Sequence, residues 1–293
     1  MTIGVIGERV STWGEGPVWW EGKLWYVDIE GHAVCSLDPE TGEERSWGVG
    51  ERVGTVVPRV SGGLVIAGDL GMAFLDPESG EKTLIPGTDP EAEKRGDNRF
   101  NDGKCDPQGR FWAGTISTVK KDGDANLYRL GTDGVLVKML EGITNSNGIV
   151  WSGDGRTMYY IDTPTKCVDA FDFDGGSGSI SKRRTVADTV ELGLRGSPDG
   201  MAIDAEDRLW VAMCHGGCVV CIDPGTGEVL RTVDVPAVET TACAFGGEGL
   251  GELFVTTGVK GDLEEEFGGR VFVVRGLGVT GVRAFGYSEK LTS

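Results

Sequence analysis

Histidine is nearly absent from this sequence, which contains only His32 and His215 among 293 residues. Ser-His-Asp and Cys-His mechanisms need an imidazole beside the nucleophile. Both histidines fall in turn segments between short strands, where we expect solvated side chains. The scarcity disfavours nucleophilic catalysis with a histidine base. If the chain is an enzyme, attack by water assisted by a metal ion is the favoured class.

Cysteine is also sparse, and its seven residues, an odd number, are spread along the chain. This usage fits a reducing compartment better than a disulfide framework. The segment 214–221 brings His215 together with three cysteines, and these residue types could bind zinc. However, its His-Gly-Gly sequence is typical of a hairpin turn, which would point the ligands to different faces of a sheet. We therefore interpret Cys214, Cys218 and Cys221 as buried structural residues.

Basic residues are outnumbered, with 28 of them against 46 acidic residues, and the net charge is −18. Nucleic-acid binding needs basic side chains that neutralise phosphates, and anionic membranes repel such a surface. An acidic field helps to attract divalent cations. No apolar run approaches the roughly 20 residues of a membrane helix, and residues 2–10 do not resemble a signal peptide. We expect a cytoplasmic protein that binds neither nucleic acid nor membranes.

No stretch of ten or more residues has the apolar period of an amphipathic helix. Instead, a short pattern occurs six times: an apolar strand, a turn rich in Gly and Asp, and a second strand. The second strands are spaced 40 to 51 residues apart, and repeats of about 40–50 residues built from short strands are the signature of a β-propeller. The six copies are 16–28, 54–68, 103–115, 148–162, 201–212 and 241–257.

Turn chemistry supports four strands in each repeat, because Asp-Pro and Gly residues follow the third strands, as in the segments 36–42, 74–80 and 221–227. The pattern predicts an all-β protein, a six-bladed β-propeller with four antiparallel strands per blade. Six repeats occupy essentially all of residues 1–293, so we expect a single domain. The strand-like segment 2–10 is expected to join the last blade and close the ring.

Three repeats have an oxygen-bearing residue followed by glycine just before the innermost strand: Glu15-Gly16, Asn147-Gly148 and Asp199-Gly200. A fourth repeat has Asn101-Asp102 at this place, and blades two and six have uncharged residues there. In a propeller these positions meet at one end of the central channel. Two carboxylates and an amide oxygen suit Ca²⁺, Mg²⁺ or Mn²⁺, with water completing the coordination shell.

The segments 14–29, 98–115, 146–162 and 197–212 resemble the hallmark segments of the senescence-marker-protein/gluconolactonase family, which includes regucalcin. The similarity extends over nearly the whole chain, with about one motif per blade. It implies a six-bladed propeller that holds one divalent metal ion in its channel and hydrolyses sugar lactones such as gluconolactone. Relatives in this family include organophosphate hydrolases and luciferin-regenerating proteins.

The resemblance implies that Glu15, Asn147 and Asp199 bind the metal ion, which would be Ca²⁺, Mg²⁺, Mn²⁺ or Zn²⁺. It also implies that Arg99 and Asn101 position the substrate. Two features depart from the family pattern and bear on the choice of lactone. Gly16 stands where the family often has Ser, and the loop 118–125 is short and lacks a substrate-contacting Glu.

The expected mechanism uses the metal ion to polarise the lactone carbonyl while Asp199 acts as the general base for water. The natural ligand would then be a small sugar lactone, and the protein would be a monomer or weak dimer. Two alternatives remain open at this point. One is a phosphotriester hydrolase that uses the same site, and the other is a non-catalytic propeller that binds calcium or a protein partner.

Overall fold

The computed structural model describes residues 1–259 and 265–289. Within them the chain forms 24 strands and three short 3₁₀ turns, at Ala92–Lys94, Thr163–Thr165 and Glu248–Leu250. The strands make six antiparallel sheets of four strands each. The prediction of a six-bladed, all-β propeller is therefore confirmed. No helix in the described part of the chain is long and apolar enough to cross a membrane.

Each of the first three blades is a meander of consecutive strands, with its first strand nearest the axis. Blade one comprises β2 (Gly14–Trp20), β3 (Lys23–Asp28), β4 (Ala33–Leu37) and β5 (Glu44–Gly48). Blade two comprises β6 (Val53–Pro58), β7 (Leu64–Gly68), β8 (Gly71–Leu75) and β9 (Lys82–Leu84). Blade three comprises β10 (Asn98–Cys105), β11 (Phe111–Ser117), β12 (Ala125–Leu130) and β13 (Leu136–Ile143).

The last three blades follow the same order, except that the N-terminal strand completes blade six. Blade four comprises β14 (Ser146–Trp151), β15 (Thr157–Asp162), β16 (Cys167–Asp174) and β17 (Ser179–Asp188). Blade five comprises β18 (Ser197–Ile203), β19 (Leu209–Cys214), β20 (Cys218–Ile222) and β21 (Val229–Asp234). Blade six comprises β22 (Thr240–Gly246), β23 (Glu252–Thr257), β24 (Val271–Arg275) and β1 (Thr2–Ile6). In it β1 pairs antiparallel with β24, Thr2 opposite Arg275 and Ile6 opposite Val271.

The blades are held together by apolar layers between neighbouring sheets. Because successive side chains of a strand point to opposite faces, a strand that is apolar throughout contributes to the layers on both sides of its blade. In β20, Cys218 and Val220 enter the layer shared with blade four, while Val219 and Cys221 enter the layer shared with blade six. The aromatic residues of the second strands lie in these layers, and Trp112, Trp210 and Phe254 are fully buried.

The first strands of the six blades contact each other around the axis, in the order β2, β6, β10, β14, β18 and β22. They line the channel, and one end of it is covered by the segment 276–289, which we call the C-terminal strap. The strap begins against blades five and six, where Ala205 N donates to Thr280 O. It ends against blade two, where Tyr287 N donates to Pro58 O and Val60 N donates to Tyr287 O.

A cavity of about 90 Å³ lies beneath the C-terminal strap. Its walls are mostly apolar and come from the inner strands and from residues 282–285. Lys104 and Arg283 are the charged residues of this lining. Because the strap crosses this end, ligands approach the polar residues of the channel from the other end, which we call the channel mouth.

Candidate metal and substrate site at the channel mouth

All six innermost strands depart from regular pairing at the same place. Near its start, each strand carries one extra residue relative to the second strand of its blade, which is a β-bulge. A bulge redirects a side chain and increases the local twist. The bulges lie beside the residues predicted as metal ligands. Glu15 and Asn147 form the last regular pairs before a bulge, and Asp199 lies within one.

The glycines that follow the predicted metal ligands also have a packing role, which the sequence pattern did not reveal. A Cβ on Gly200 would lie 2.3 Å from the Cβ of Ala242, and one on Gly148 would lie 2.6 Å from the Cβ of Met201. Heavy atoms cannot approach this closely without a backbone shift. These glycines therefore allow neighbouring inner strands to come together.

Three residues with carboxyl groups are buried near the channel mouth: Glu15 is 3% exposed, Asp102 3% and Asp199 6%. Burial, reinforced by the charge of Asp102, raises the pKa of Glu15 to about 8. Burial and then the charges of Glu15 and Asp102 raise the pKa of Asp199 well above its usual range. These groups, far apart in sequence, thus act on one another electrostatically.

When these carboxyl groups are ionised, the protein compensates their charge only in part. Lys104 and Arg99 act on Glu15 from a distance, and Lys104 Nζ donates to Met201 O across the channel at 3.0 Å. Asp102 Oδ1 accepts from Gly103 N at 2.7 Å, whereas its Oδ2 is buried with no hydrogen-bond partner among the described residues. Buried carboxylates that lack a cation are unstable. Together with an oxygen-only set of donors, this fits a hard divalent cation.

The side-chain amide of Asn147 has a defined orientation. Thr163 Oγ1 donates its one hydrogen to Pro198 O at 2.8 Å, so it must accept from Asn147 Nδ2, which lies 2.7 Å away. Asn147 Oδ1 then faces the channel side, where Asn101 Nδ2 donates to it at 3.0 Å. Thr163 was not found from the sequence, because nothing in its own segment indicates a contact across to blade five.

Asn101 is largely occupied by the protein. Its Nδ2 also lies 2.8 Å from Ser146 O, and its Oδ1 accepts from Arg99 Nη1 at 2.8 Å. Arg99 makes a second contact, from Nη1 to Phe100 O, while its Nε is buried without an acceptor among the described residues. Burial lowers the pKa of Arg99 to about 10, so it stays cationic at neutral pH. Arg99 therefore has donors available for a ligand.

Two loops form the rim beside Arg99. Thr118 N donates to Asp97 O, and Lys94 Nζ binds Asp124 Oδ1 at 2.9 Å, so the loop 118–125 is tied to the segment preceding β10. Val119 on this rim is 56% exposed. The loop 118–125 therefore exposes an apolar side chain and contains no glutamate.

The cysteine-rich segment is only partly as expected. Cys218 and Cys221 are buried on opposite faces of blade five, consistent with structural roles. His215 is in a turn and half exposed, but it is not simply solvated, because its Nδ1 lies 2.5 Å from the buried carboxylate of Glu239. Cys214 Sγ contacts the same carboxylate at 3.3 Å. Glu239 was missed because it lies 24 residues beyond the histidine, in the next blade.

Comparisons with known proteins agree with the architecture. A family model for the SMP-30/gluconolactonase/LRE-like region matches residues 13–259. Regucalcin of Danio rerio is 42% identical over 293 residues, covering 97% of this chain and 97% of that protein. The structure of a luciferin-regenerating enzyme matches with a TM-score of 0.90 at 31% identity, covering 99% of each chain. A calcium-binding protein, regucalcin, from Agrobacterium tumefaciens matches with a TM-score of 0.89 at 26% identity, covering 97% of this chain and 96% of that one.

Proposed function

This chain belongs to the SMP-30/gluconolactonase/LRE-like family, and we propose that it is a divalent-metal-dependent hydrolase that opens sugar lactones. The observation that carries the proposal is the buried group of Glu15, Asp102 and Asp199 at the mouth of a channel covered at its other end. A non-catalytic platform needs no such convergence of carboxylates. The available donors of Arg99 beside the group add a means of binding a polar substrate.

Glu15, Asn147 and Asp199 are the residues proposed to hold the cation. When bound there, a divalent cation supplies Lewis acidity that polarises a lactone carbonyl and stabilises negative charge on its oxygen. The Thr163 contact supports the role of Asn147, because it turns the amide oxygen rather than the amide nitrogen toward the channel. The family relative from Agrobacterium tumefaciens is described as a calcium-binding protein.

Asp199 is the proposed general base. It takes a proton from water as the water oxygen forms a bond to the lactone carbonyl carbon. The ring C–O bond then breaks, and the proton passes to the departing ring oxygen, which leaves as the hydroxyl of the open acid. Arg99 hydrogen-bonds sugar oxygens and orients the ring. Asn101, whose amide is held by Ser146 and Arg99, contributes mainly by fixing Asn147 Oδ1.

The decisive experiment is hydrolysis by metal-stripped protein, resupplied separately with Ca²⁺, Mg²⁺, Mn²⁺ and Zn²⁺. A panel of aldonolactones is compared with one phosphotriester at equal concentration. We expect lactone hydrolysis that returns with at least one cation and is absent after exhaustive chelation. Full activity in the presence of the chelator contradicts the metal requirement. Faster turnover of the phosphotriester than of every lactone contradicts the substrate class.

A further inference from the structure

We propose that Cys214, His215 and Glu239 form a second metal site, selective for a borderline cation of the zinc class and different in its ligands from the adjacent oxygen site in the channel, where Asp199 hydrogen-bonds Cys214. One Sγ, one imidazole nitrogen and one carboxylate oxygen lie within 4.8 Å of one another. These are the three ligand types that zinc binds in proteins. The site does not depend on the proposed lactone hydrolysis.

The distances among the three groups are close to those of a tetrahedral site. Cys214 Sγ and Glu239 Oε2 are 3.3 Å apart, and His215 Nδ1 and Glu239 Oε2 are 2.5 Å apart. Zinc bonds of about 2.0–2.3 Å place ligand atoms roughly 3.3–3.8 Å from each other. To fit, the imidazole must move away from Glu239 Oε2 by about 1 Å on the same geometry and keep within reach of Cys214 Sγ. Its side chain is 52% exposed and can make that movement.

The backbone holds the other two ligands in place. Cys214 ends β19 and forms an antiparallel bridge with Glu239, which directly precedes β22. Both are buried, Cys214 to 6% exposure and Glu239 to 0%. His215 adopts a left-handed conformation with φ of 63°, in a turn where Gly216 N donates to Met213 O. Neighbouring blades thus supply rigid sulfur and oxygen ligands, and the turn supplies a movable nitrogen.

A single thiolate makes this group different in kind from the channel site. Hard cations such as Ca²⁺ and Mg²⁺ prefer oxygen ligands, whereas a thiolate and an imidazole favour Zn²⁺ and its close analogue Co²⁺. Binding breaks the S–H bond of Cys214, releases the proton to solvent and forms a metal–sulfur bond. With three protein ligands, the fourth coordination position is left for water, which can enter beside the half-exposed His215.

Cobalt reports on this site through its bond to sulfur, because thiolate ligation produces a near-ultraviolet charge-transfer band that an all-oxygen site cannot. Metal-stripped full-length protein is saturated with Mg²⁺ to occupy oxygen sites and then titrated with Co²⁺. We expect the band to grow to one equivalent of Co²⁺ and to disappear when Zn²⁺, the tighter binder of the two, is added. Absence of the band with excess Co²⁺ overturns the proposal.

Variants test each ligand against a matched control. Cys214→Ser is expected to abolish the band, and His215→Ala to weaken Co²⁺ binding by about tenfold or more because one of three protein ligands is lost. Cys218→Ser removes a nearby buried cysteine outside the group and is expected to retain the band. Persistence of the band in Cys214→Ser, or its loss in Cys218→Ser, overturns the assignment.

Two further variants keep the result interpretable. His215→Ala changes a half-exposed turn residue, so it tests the site even if Cys214→Ser fails to fold. Glu15→Gln removes a proposed channel ligand but no ligand of the second site, and it is expected to leave the cobalt band in place. Loss of the band in folded Glu15→Gln would place the cobalt in the channel and overturn the second site, whatever the fate of the lactonase proposal.

Discussion

Thr163 illustrates how much a single hydroxyl can decide. The Pro198 carbonyl can only accept, so the Thr163 hydrogen is committed to it and the Thr163 oxygen must accept from Asn147. This contact between blades four and five therefore sets, together with the Asn101 contact, which atom of Asn147 faces the channel. At the scale of residues, chemistry at this mouth depends on such fixed donors and acceptors as much as on the carboxylates themselves.

Thr163→Val keeps the shape of the side chain but removes both hydrogen-bonding functions. The Asn147 amide then loses one of the two contacts that orient it, and we expect the affinity of the channel for its divalent cation to fall by about 10–100-fold, the usual cost of losing a supporting contact. Isothermal titration of metal-stripped protein measures the loss. Thr163→Ser keeps the hydroxyl and should bind nearly as the parent does, and equal affinity in Thr163→Val would remove Thr163 from the site.

Asp199→Asn keeps an oxygen and nearly the same volume but removes charge and basicity. If Asp199 is the general base, lactone turnover at saturating metal should fall on the order of 10²–10⁴-fold. Metal occupancy is measured on the same samples, which separates loss of the base from loss of the cation. A variant that retains its metal and turns over at the parent rate would exclude Asp199 from proton transfer.

Arg99→Ala removes the guanidinium whose donors remain available at the mouth. We expect a higher KM and a lower kcat/KM, with metal affinity close to that of the parent, because Arg99 is proposed to hold the sugar rather than the cation. Arg183→Ala, a charge-matched change on the outer strand β17, serves as the control and should leave both constants unaltered. Parent-like kinetics in Arg99→Ala would argue against its role in positioning.

At the scale of elements, the bulged inner strand is the unit that builds the mouth. Each blade inserts one extra residue at the same place, and in blades four and five a glycine at that place allows the next inner strand to approach. The geometry is repeated in all six blades, but only some carry oxygen ligands. The backbone geometry is therefore common to the blades, and the side chains placed on it determine which blades contribute to the site.

Gly200→Ala tests this close approach. The added methyl would meet Ala242 at 2.3 Å, so blades five and six must separate slightly, and overpacking of this kind costs about 1–3 kcal/mol. We expect a lower midpoint in thermal unfolding. Gly48→Ala, at a strand position where an added Cβ meets no atom within 4 Å, is the matched control and should unfold close to the parent. Equal midpoints for the two variants would show that the approach is not tight.

The propeller could be predicted from the sequence because blade architecture is local, and a strand–turn–strand pattern repeats within about 50 residues. The candidate metal ligands Glu15, Asn147 and Asp199 could also be recognised, since each precedes a glycine at the same place in the repeat. Thr163 and Glu239 were not, because their partners Pro198 and Cys214 belong to neighbouring blades. Contacts of that kind depend on how two sheets align, and no short pattern records the alignment.

At the scale of the whole molecule, the first and the last strand of the fold, β1 and β24, share one sheet. The strand β1 is the outermost strand of blade six and pairs along its length with β24. It also covers the layer between blades five and six through Val5. Without it, β24 would present an unpaired edge, and exposed strand edges promote association.

Deletion of residues 2–6 is expected to lower the thermal unfolding midpoint and to increase the fraction of oligomers, because the β24 edge becomes available to other copies. Differential scanning calorimetry and size-exclusion chromatography measure the two effects. Val10→Ser, which changes an exposed side chain next to the strand, is the control. A truncated protein with the parent midpoint and elution volume would mean that β1 adds nothing to the ring.

The pairing of Thr2 with Arg275 also has a consequence for how the molecule is made. On the ribosome β1 emerges first, yet its partner is synthesised only after nearly the whole chain, so it must wait unpaired while blades one to five assemble. Contacts between such distant residues carry the largest loop-closure entropy and form late. Folding of this propeller is therefore expected to end with the pairing of β1 and β24, and a nascent chain that stops short of β24 leaves β1 without its partner strand.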